Sequence, residues 1–366
     1  MGEKKCKYEI PGDLSEWMTK LPPRLKAEPL NWLGIPGTHC SASYSITHES
    51  QISGEHPEFN KVTEMSDGHK FKMHKWTATQ LDSILEQLEH GVRFLDLHVV
   101  SQKYWSEFRD LVLEYYCVHG QRANLLTKEL EVIQSFLEKH PGEVVIIYLS
   151  YGKDFIEDIE KEKLIQHLAK FGARMCPPQN YVPSLDFMYK HGYQVILFSA
   201  IRSKVEKLYS ERVWPMDRLQ IVEKKTFDAA ELMDFVESSF GDRDPEKFCV
   251  HYAALYPTLE FMLDHRRESL YDAQKDLADR LWSWIRNPER VGGEKGVNII
   301  AVDYMLTAYT DLPARMIEGS YEVFLTRFAL SEHEQPLERR VTEDAARPDS
   351  SKSNSSRSDS AASQNR

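Results

Sequence analysis

Residues 91–120 read GVRFLDLHVVSQKYWSEFRDLVLEYYCVHG. The apolar runs GVRFLDLHVV and LVLEYYCVHG each finish in a polar or ionisable cluster, and they predict neighbouring strands whose ends hold chemistry. In the first run, period-two alternation puts Phe94, Asp96 and His98 on one face and Arg93, Leu95 and Leu97 on the other. In the second, Tyr115, Cys117 and His119 share a face. With both strands buried, Asp96, His98 and His119 converge on one small volume. A carboxylate beside two imidazoles inside a protein must be paired or functional.

Toward the N-terminus, the spacing predicts a short helix over 13–25, ended by Pro22 and Pro23. The apolar run 29–35 predicts a strand that stops at the turn signal Pro36-Gly37 and delivers His39 and Cys40 into a loop. The polar stretch 41–70 reads as a surface loop, and 79–90 as an amphipathic helix closed by Gly91. Toward the C-terminus, helices are predicted over 124–140, 158–171, 229–240 and 268–286, and strands over 143–150, 192–200, 248–255 and 296–305. Strand followed by helix, with the strands apolar throughout, predicts α/β architecture on a parallel sheet. The seven or eight strand candidates in the sequence match a (β/α)8 TIM-like barrel, where chemistry sits at the carboxyl ends of the strands. His39, Asp96, His98, His119 and Asp303 all fall at or just past such ends. A doubly wound open sheet would carry a glycine-rich phosphate turn after its first strand, and residues 34–37, GIPG, do not form one.

The chain of 366 residues is 41% hydrophobic and 28% charged, which allows a full core without disulfide staples. Five scattered cysteines, Cys6, Cys40, Cys117, Cys176 and Cys249, show no metal-ribbon spacing and predict free thiols in a reducing compartment. No apolar stretch approaches the roughly 18 residues of a spanning helix, and the N-terminus lacks the apolar core of a signal peptide. The expected location is cytoplasmic. A net charge of −11 argues against nucleic acid as a partner and confines membrane contact to local patches. Tyr104, Trp105 and Phe108, and separately Trp76 near Lys70, Lys72 and Lys75, are the interfacial candidates.

The residues leave three chemistries open. Two histidines at different strand ends serve as general base and general acid for in-line attack of a hydroxyl on a phosphodiester, with Asp303 orienting one of them. Alternatively, His39, Cys40, His98, His119 and Asp96 supply ligands to a metal hydrolase. A binding module without chemistry is the third.

Eight segments in order, IPGTHCSASY, KWTATQ, QLEHGVRFLDLH, CVHG, HPGEVVIIYLS, RMCP, GYQVILF and NIIAVDY, resemble the phosphatidylinositol-specific phospholipase C X-domain-containing proteins from about Trp17 to Leu330. The resemblance implies a distorted β/α barrel like the bacterial single-domain enzymes, over residues 1–336. Residues 337–366 read as a Ser-rich tail, expected to be too polar to order itself. The resemblance further implies that His39 deprotonates the inositol 2-hydroxyl, His119 protonates the diacylglycerol oxygen, and Asp303 orients His39. The expected substrate is a phosphoinositide or related phosphodiester lipid, met in transient contact with a membrane surface, with no cofactor and no metal.

Two positions depart from the family pattern. Cys40 stands where the family usually has Asp or Asn, and His98 where it usually has a phosphate-stabilising Arg. Neither fits a calcium ligand set, which takes oxygen donors. The expected substrate-binding set is Asp96, His98, Arg122 and Arg202, with the two arginines compensating for the one missing at position 98.

Overall fold

Strand β1, Ile35–Thr38, is buried along its whole length and pairs in parallel with two partners at once. The expected turn Pro36-Gly37 therefore lies inside a strand. The Pro36 carbonyl accepts the Arg93 amide at 2.9 Å, so the ring's missing N–H is not needed on that side. A Cβ on Gly37 would sit 2.9 Å from Phe94 Cδ1 and 3.1 Å from Ile299 Cγ2. Close packing of three strands, rather than a turn, is what glycine serves here.

The computed structural model describes residues 12–53, 67–108, 111–151, 158–200 and 211–322, within one compact unit, Met1–Phe324. Cys6, Arg202 and the expected tail 337–366 lie outside the described residues. After β1 the strands are β2 (Phe94–Trp105), β3 (Leu111–His119), β4 (Gln121–Leu125), β5 (Val145–Tyr151), β6 (Val195–Ser199), β7 (Val213–Trp214), β8 (Leu219–Val222), β9 (Phe248–Ala253) and β10 (Ile299–Val302). Eight of them form a curled parallel sheet in the order β7-β6-β5-β2-β1-β10-β9-β8, and β3 and β4 hang from β2 as an antiparallel hairpin. The fold is α/β of the TIM-barrel type, but among the described residues β7 and β8 do not pair. Only residues 215–218 join those two strands, whereas parallel neighbours need a crossover of about a dozen residues or more. The barrel stays open at that seam.

Helices pack outside the sheet. Leu126–Lys139 buries Leu126, Leu130, Ile133, Phe136 and Leu137 on one face, and Leu270–Ile285 buries Leu277, Leu281 and Ile285. Ser83 and Glu86 form a reciprocal capping box that starts Ile84–Glu89, so the helix expected over 79–90 begins later and leaves Thr79 and Gln80 outside it. The stretch 13–25 is two short helices, Trp17–Lys20 and Pro23–Lys26, because Pro23 opens the second as its first residue. The stretch read as a surface loop after residue 41 is partly core: Ser41, Ala42 and Ser43 are buried. Its end forms a helix, Asp67–Thr77.

At the amino ends of the strands Arg93 and Glu143, both fully buried, pair at 2.8 Å. Arg93 also donates to the carbonyls of Leu88, Val92 and Ser15, each at 2.7 Å. Glu143 in turn accepts from the amide and hydroxyl of Thr19. Residues 15–19 are thereby tied to the end of the barrel opposite the mouth.

Candidate active site

The register of β1 with β10 aligns Thr38 with Val302, so the next residues, His39 and Asp303, leave the two strands side by side. His39 Nδ1 and Asp303 Oδ1 meet at 2.8 Å although 264 residues separate them. On the other flank Thr38 is aligned with Leu95, which brings the loop after β1 level with Asp96. The Cys40 amide donates to Asp96 Oδ2 at 3.3 Å. The Ser41 amide donates to the Asp96 carbonyl at 2.8 Å, and the Asp96 amide donates to Ser41 Oγ at 2.9 Å.

Cys40 and Tyr304 hold φ of +43° and +52°, a left-handed conformation uncommon outside glycine. Each directly follows a candidate functional residue, and surrounding bonds hold it there. One element holds both strand exits. Thr79 donates its hydroxyl to the His39 carbonyl at 3.0 Å and accepts the Tyr304 amide at 2.6 Å. Gln80 donates to the His39 carbonyl at 3.1 Å and the Val302 carbonyl at 2.8 Å, and its Oε1 accepts the Met305 amide at 3.3 Å. Residues 77–80, TATQ, thus act as a clamp.

The same clamp takes His119. Strand β2 runs out past the mouth, paired as far as Trp105 with Leu111, and β3 returns antiparallel, with Cys117 opposite Val99. The carboxyl end of β3 therefore lands back at the mouth. There His119 Nδ1 bonds the Thr77 carbonyl at 2.8 Å, and Gly120, at φ +69°, turns the chain into β4. The His39 and His119 rings stand edge to face with centroids 5.2 Å apart. Of the three residues expected on one face of β3, Tyr115 and Cys117 are in the core and His119 alone reaches the site.

His39 and Asp303 are buried. Burial disfavours the imidazolium, yet Cys40 and Asp303 favour it strongly enough to hold the His39 pKa well above the ordinary value. Burial pushes the Cys40 thiol up to about 11, so the thiol is neutral at pH 7 and the Asp303 carboxylate is the partner that counts. Burial likewise raises the Asp303 and Asp96 carboxyls, opposed in each case chiefly by His39. Asp303 Oδ2 accepts Gln274 Nε2 at 3.1 Å, and Gln274 Oε1 accepts the Tyr309 hydroxyl at 3.3 Å. A relay of three side chains, Tyr309, Gln274 and Asp303, therefore fixes the imidazole.

The remaining expected residues are held by partners outside the histidine pair. His98 Nδ1 bonds Ser150 Oγ at 2.6 Å, across β5. Arg122 donates to Gln51 at 2.9 Å and Gln102 at 2.5 Å and covers the Tyr116 ring, along the hairpin. Among the described residues, the group with metal-ligand spacing is His39, Cys40 and His119. Asp96 and His98, the other two of the five expected ligands, are not part of it. Sequence reading passed over Thr79, Gln80, Gln274, Tyr252, Tyr256 and Lys225. The rings of Tyr252 and Tyr256 each lie 5.6 Å from that of His39, and Lys225 sits 5.8 Å above Tyr256. The available signals were the polar TATQ and the two tyrosines in and just after the buried strand β9.

Trp105 is 71% exposed and Phe108 86% exposed, beyond the mouth at the far end of the hairpin, with Tyr104 and Leu111 also exposed. Trp76, by contrast, is 3% exposed and packs on Phe227 and Phe261; it is core, not an interfacial residue. No helix among the described residues is long and apolar enough to cross a membrane.

The PI-PLC X family model, described as PI-PLC X 1, matches residues 56–210. PI-PLC X domain-containing protein 3 of Danio rerio is 32% identical over 299 residues, 80% of this chain and 89% of its own. PI-PLC X domain-containing protein 1 of Homo sapiens is 29% identical over 79% of this chain and 88% of its own. Among solved structures, the phosphatidylinositol-specific phospholipase C of S. aureus superposes with a TM-score of 0.57 at 15% identity, covering 85% of this chain and 99% of that one. The enzyme from Listeria monocytogenes gives 0.54 at 18%, covering 84% and 98%. A barrel of the bacterial phospholipase type and a relative matched over most of both chains lead to one conclusion: this chain belongs to the PI-PLC X domain-containing proteins.

Proposed function

We propose that the chain is a phosphoric diester hydrolase of the phosphatidylinositol-specific phospholipase C type, acting by two-histidine acid–base catalysis without calcium. The observation that carries this reading is the pair of rings 5.2 Å apart, each with its Nδ1 fixed, His39 by Asp303 and His119 by Thr77. Nε2 is then the nitrogen that each ring offers to substrate. His39 takes the proton of the inositol 2-hydroxyl, whose oxygen attacks phosphorus. The bond from phosphorus to the diacylglycerol oxygen breaks, and His119 supplies that oxygen with a proton. The products are diacylglycerol and inositol cyclic phosphate. Asp303 holds His39 in the tautomer with a bare Nε2.

Asp96, His98, Arg122 and Arg202 form the proposed substrate-binding set, and Lys225, one tyrosine ring away from His39, joins it as a cation for the phosphate. The exposed aromatics of the hairpin supply the contact with the membrane surface, since such side chains suit the headgroup layer. The test is release of inositol cyclic phosphate from phosphatidylinositol vesicles. Turnover that survives EDTA and falls by about a thousandfold or more in His39→Ala is the expected result. Absence of cyclic product, or turnover that EDTA abolishes, refutes the reading.

A further inference from the structure

We infer that His39, Cys40 and His119 form a binding site for a thiophilic divalent cation of the zinc class, and that its occupancy shuts off the two-histidine chemistry. One ligand atom from each residue lies within 4.8 Å of the others. Tetrahedral zinc with bonds of about 2.0–2.3 Å places its ligand atoms about 3.3–3.6 Å apart, so small side-chain rotations close the triangle. His119 is only half buried and gives the cation a way in.

The surroundings are those of a metal-binding histidine pair. Such a histidine typically binds through one nitrogen while the other donates to a carboxylate or a backbone carbonyl. His39 Nδ1 has the Asp303 carboxylate at 2.8 Å and His119 Nδ1 has the Thr77 carbonyl at 2.8 Å, so Nε2 of each ring would bind. Cys40 adds the soft donor, and its left-handed backbone, φ +43°, is pinned by the bond from its amide to Asp96. Two imidazoles and a thiolate select zinc, cobalt or copper(I) over calcium and magnesium. On binding, the thiol proton passes to solvent and the cation takes the thiolate. The lone pair with which His39 would accept the hydroxyl proton, and the position from which His119 would donate, are then both occupied.

The inhibitory half rests on the proposed function, and the site itself does not, so the experiment has two arms. In the first, cobalt(II) is titrated into the reduced full chain under anaerobic conditions. A near-ultraviolet thiolate-to-cobalt band saturating at one equivalent, displaced by zinc, is expected. Cys40→Ser should abolish the band, and His119→Ala should weaken cobalt binding by about tenfold or more; the half-buried His119 keeps the test available if Cys40→Ser fails to fold. A band that never forms, or that survives both substitutions at the original affinity, overturns the site. In the second arm, vesicle turnover is measured against free zinc. Loss of turnover at the concentrations that displace cobalt, restored by EDTA, supports inhibition, and turnover unchanged at saturating zinc overturns it. A chain that shows the band but no turnover with or without EDTA sinks the proposed reaction and leaves the cation site standing.

Discussion

Asp303→Asn changes one atom in a buried relay, and the geometry dictates which way the new amide turns. In the native site Gln274 donates from Nε2 to Asp303 Oδ2 at 3.1 Å, while Oδ1 faces His39 Nδ1 at 2.8 Å. The Tyr309 hydroxyl on Gln274 Oε1 fixes the direction of that amide. An asparagine must therefore turn its oxygen toward Gln274 and its NH2 toward His39. His39 Nδ1 would have to accept, the proton would move to Nε2, and the base would be blocked. A wrong-tautomer change of this kind lowers turnover by on the order of 10³ to 10⁴, or about 4–5 kcal/mol of transition-state stabilisation. The pH dependence adds a second signature. Asp303 raises the His39 pKa, and the base works deprotonated, so native turnover rises with pH through that raised value. Loss of the carboxylate lowers the pKa and moves the acid limb of the profile to lower pH. For stability, the native pair contributes fully below about pH 6.5, the ordinary histidine value, and loses that contribution as pH rises through the raised folded value; the variant lacks it. The assays are cyclic inositol phosphate release across pH and an NMR titration of the His39 ring. Asp303→Asn/Gln274→Glu, in which the new carboxylate accepts the asparagine NH2 and returns its oxygen to His39, should recover about tenfold or more. A single variant within about threefold of native, with its His39 titration unmoved, would refute the reasoning.

Gln80→Ala removes the bonds to the His39 and Val302 carbonyls and leaves buried polar groups unpaired, so stability should fall by about 2–4 kcal/mol; chemical denaturation measures it, and kcat should fall more than KM rises. Arg93→Ala abandons the buried Glu143 carboxylate and should cost about 3–5 kcal/mol, whereas Arg93→Met/Glu143→Leu should cost less, as a double-mutant unfolding cycle will show. Trp105→Ala/Phe108→Ala should leave unfolding within about 0.5 kcal/mol while weakening sedimentation with phosphatidylinositol vesicles; unchanged binding would remove the hairpin as the membrane contact. His98→Arg should raise turnover by restoring a preorganised cation, on the order of a hundredfold where nothing else compensates. A strong rise combined with no effect of Arg122→Ala and Arg202→Ala would end the case for those arginines.

The strands were legible because a parallel sheet covered on both faces requires continuous apolar runs, and β5, β6, β9 and β10 show them. Strands β7 and β8 escaped notice: Val213–Trp214 and Leu219–Val222 sit among charged residues in ERVWPMDRLQIVEKK, without the longer apolar run that surrounds β10. Residues 91–120 declared two strands with functional ends, but alternation could not say that they pair with each other in antiparallel fashion over 99–105 and 111–117. That pairing returns His119 to the mouth and sends the aromatics away from it. Residue chemistry placed His39, Asp96, His98, His119 and Asp303 together at strand ends, because imidazoles and carboxylates there are conspicuous, and the family resemblance singled out His39, His119 and Asp303 among them. Which of them touch was decided by register, with Thr38 opposite Val302 on one side and Leu95 on the other. A sequence specifies hydrophobic period and residue type locally. The contacts of a site 264 residues apart in the chain exist only once strands far apart in sequence lie side by side, and so the TATQ clamp, the Gln274 relay and the cluster of His39, Cys40 and His119 belong to the tertiary structure.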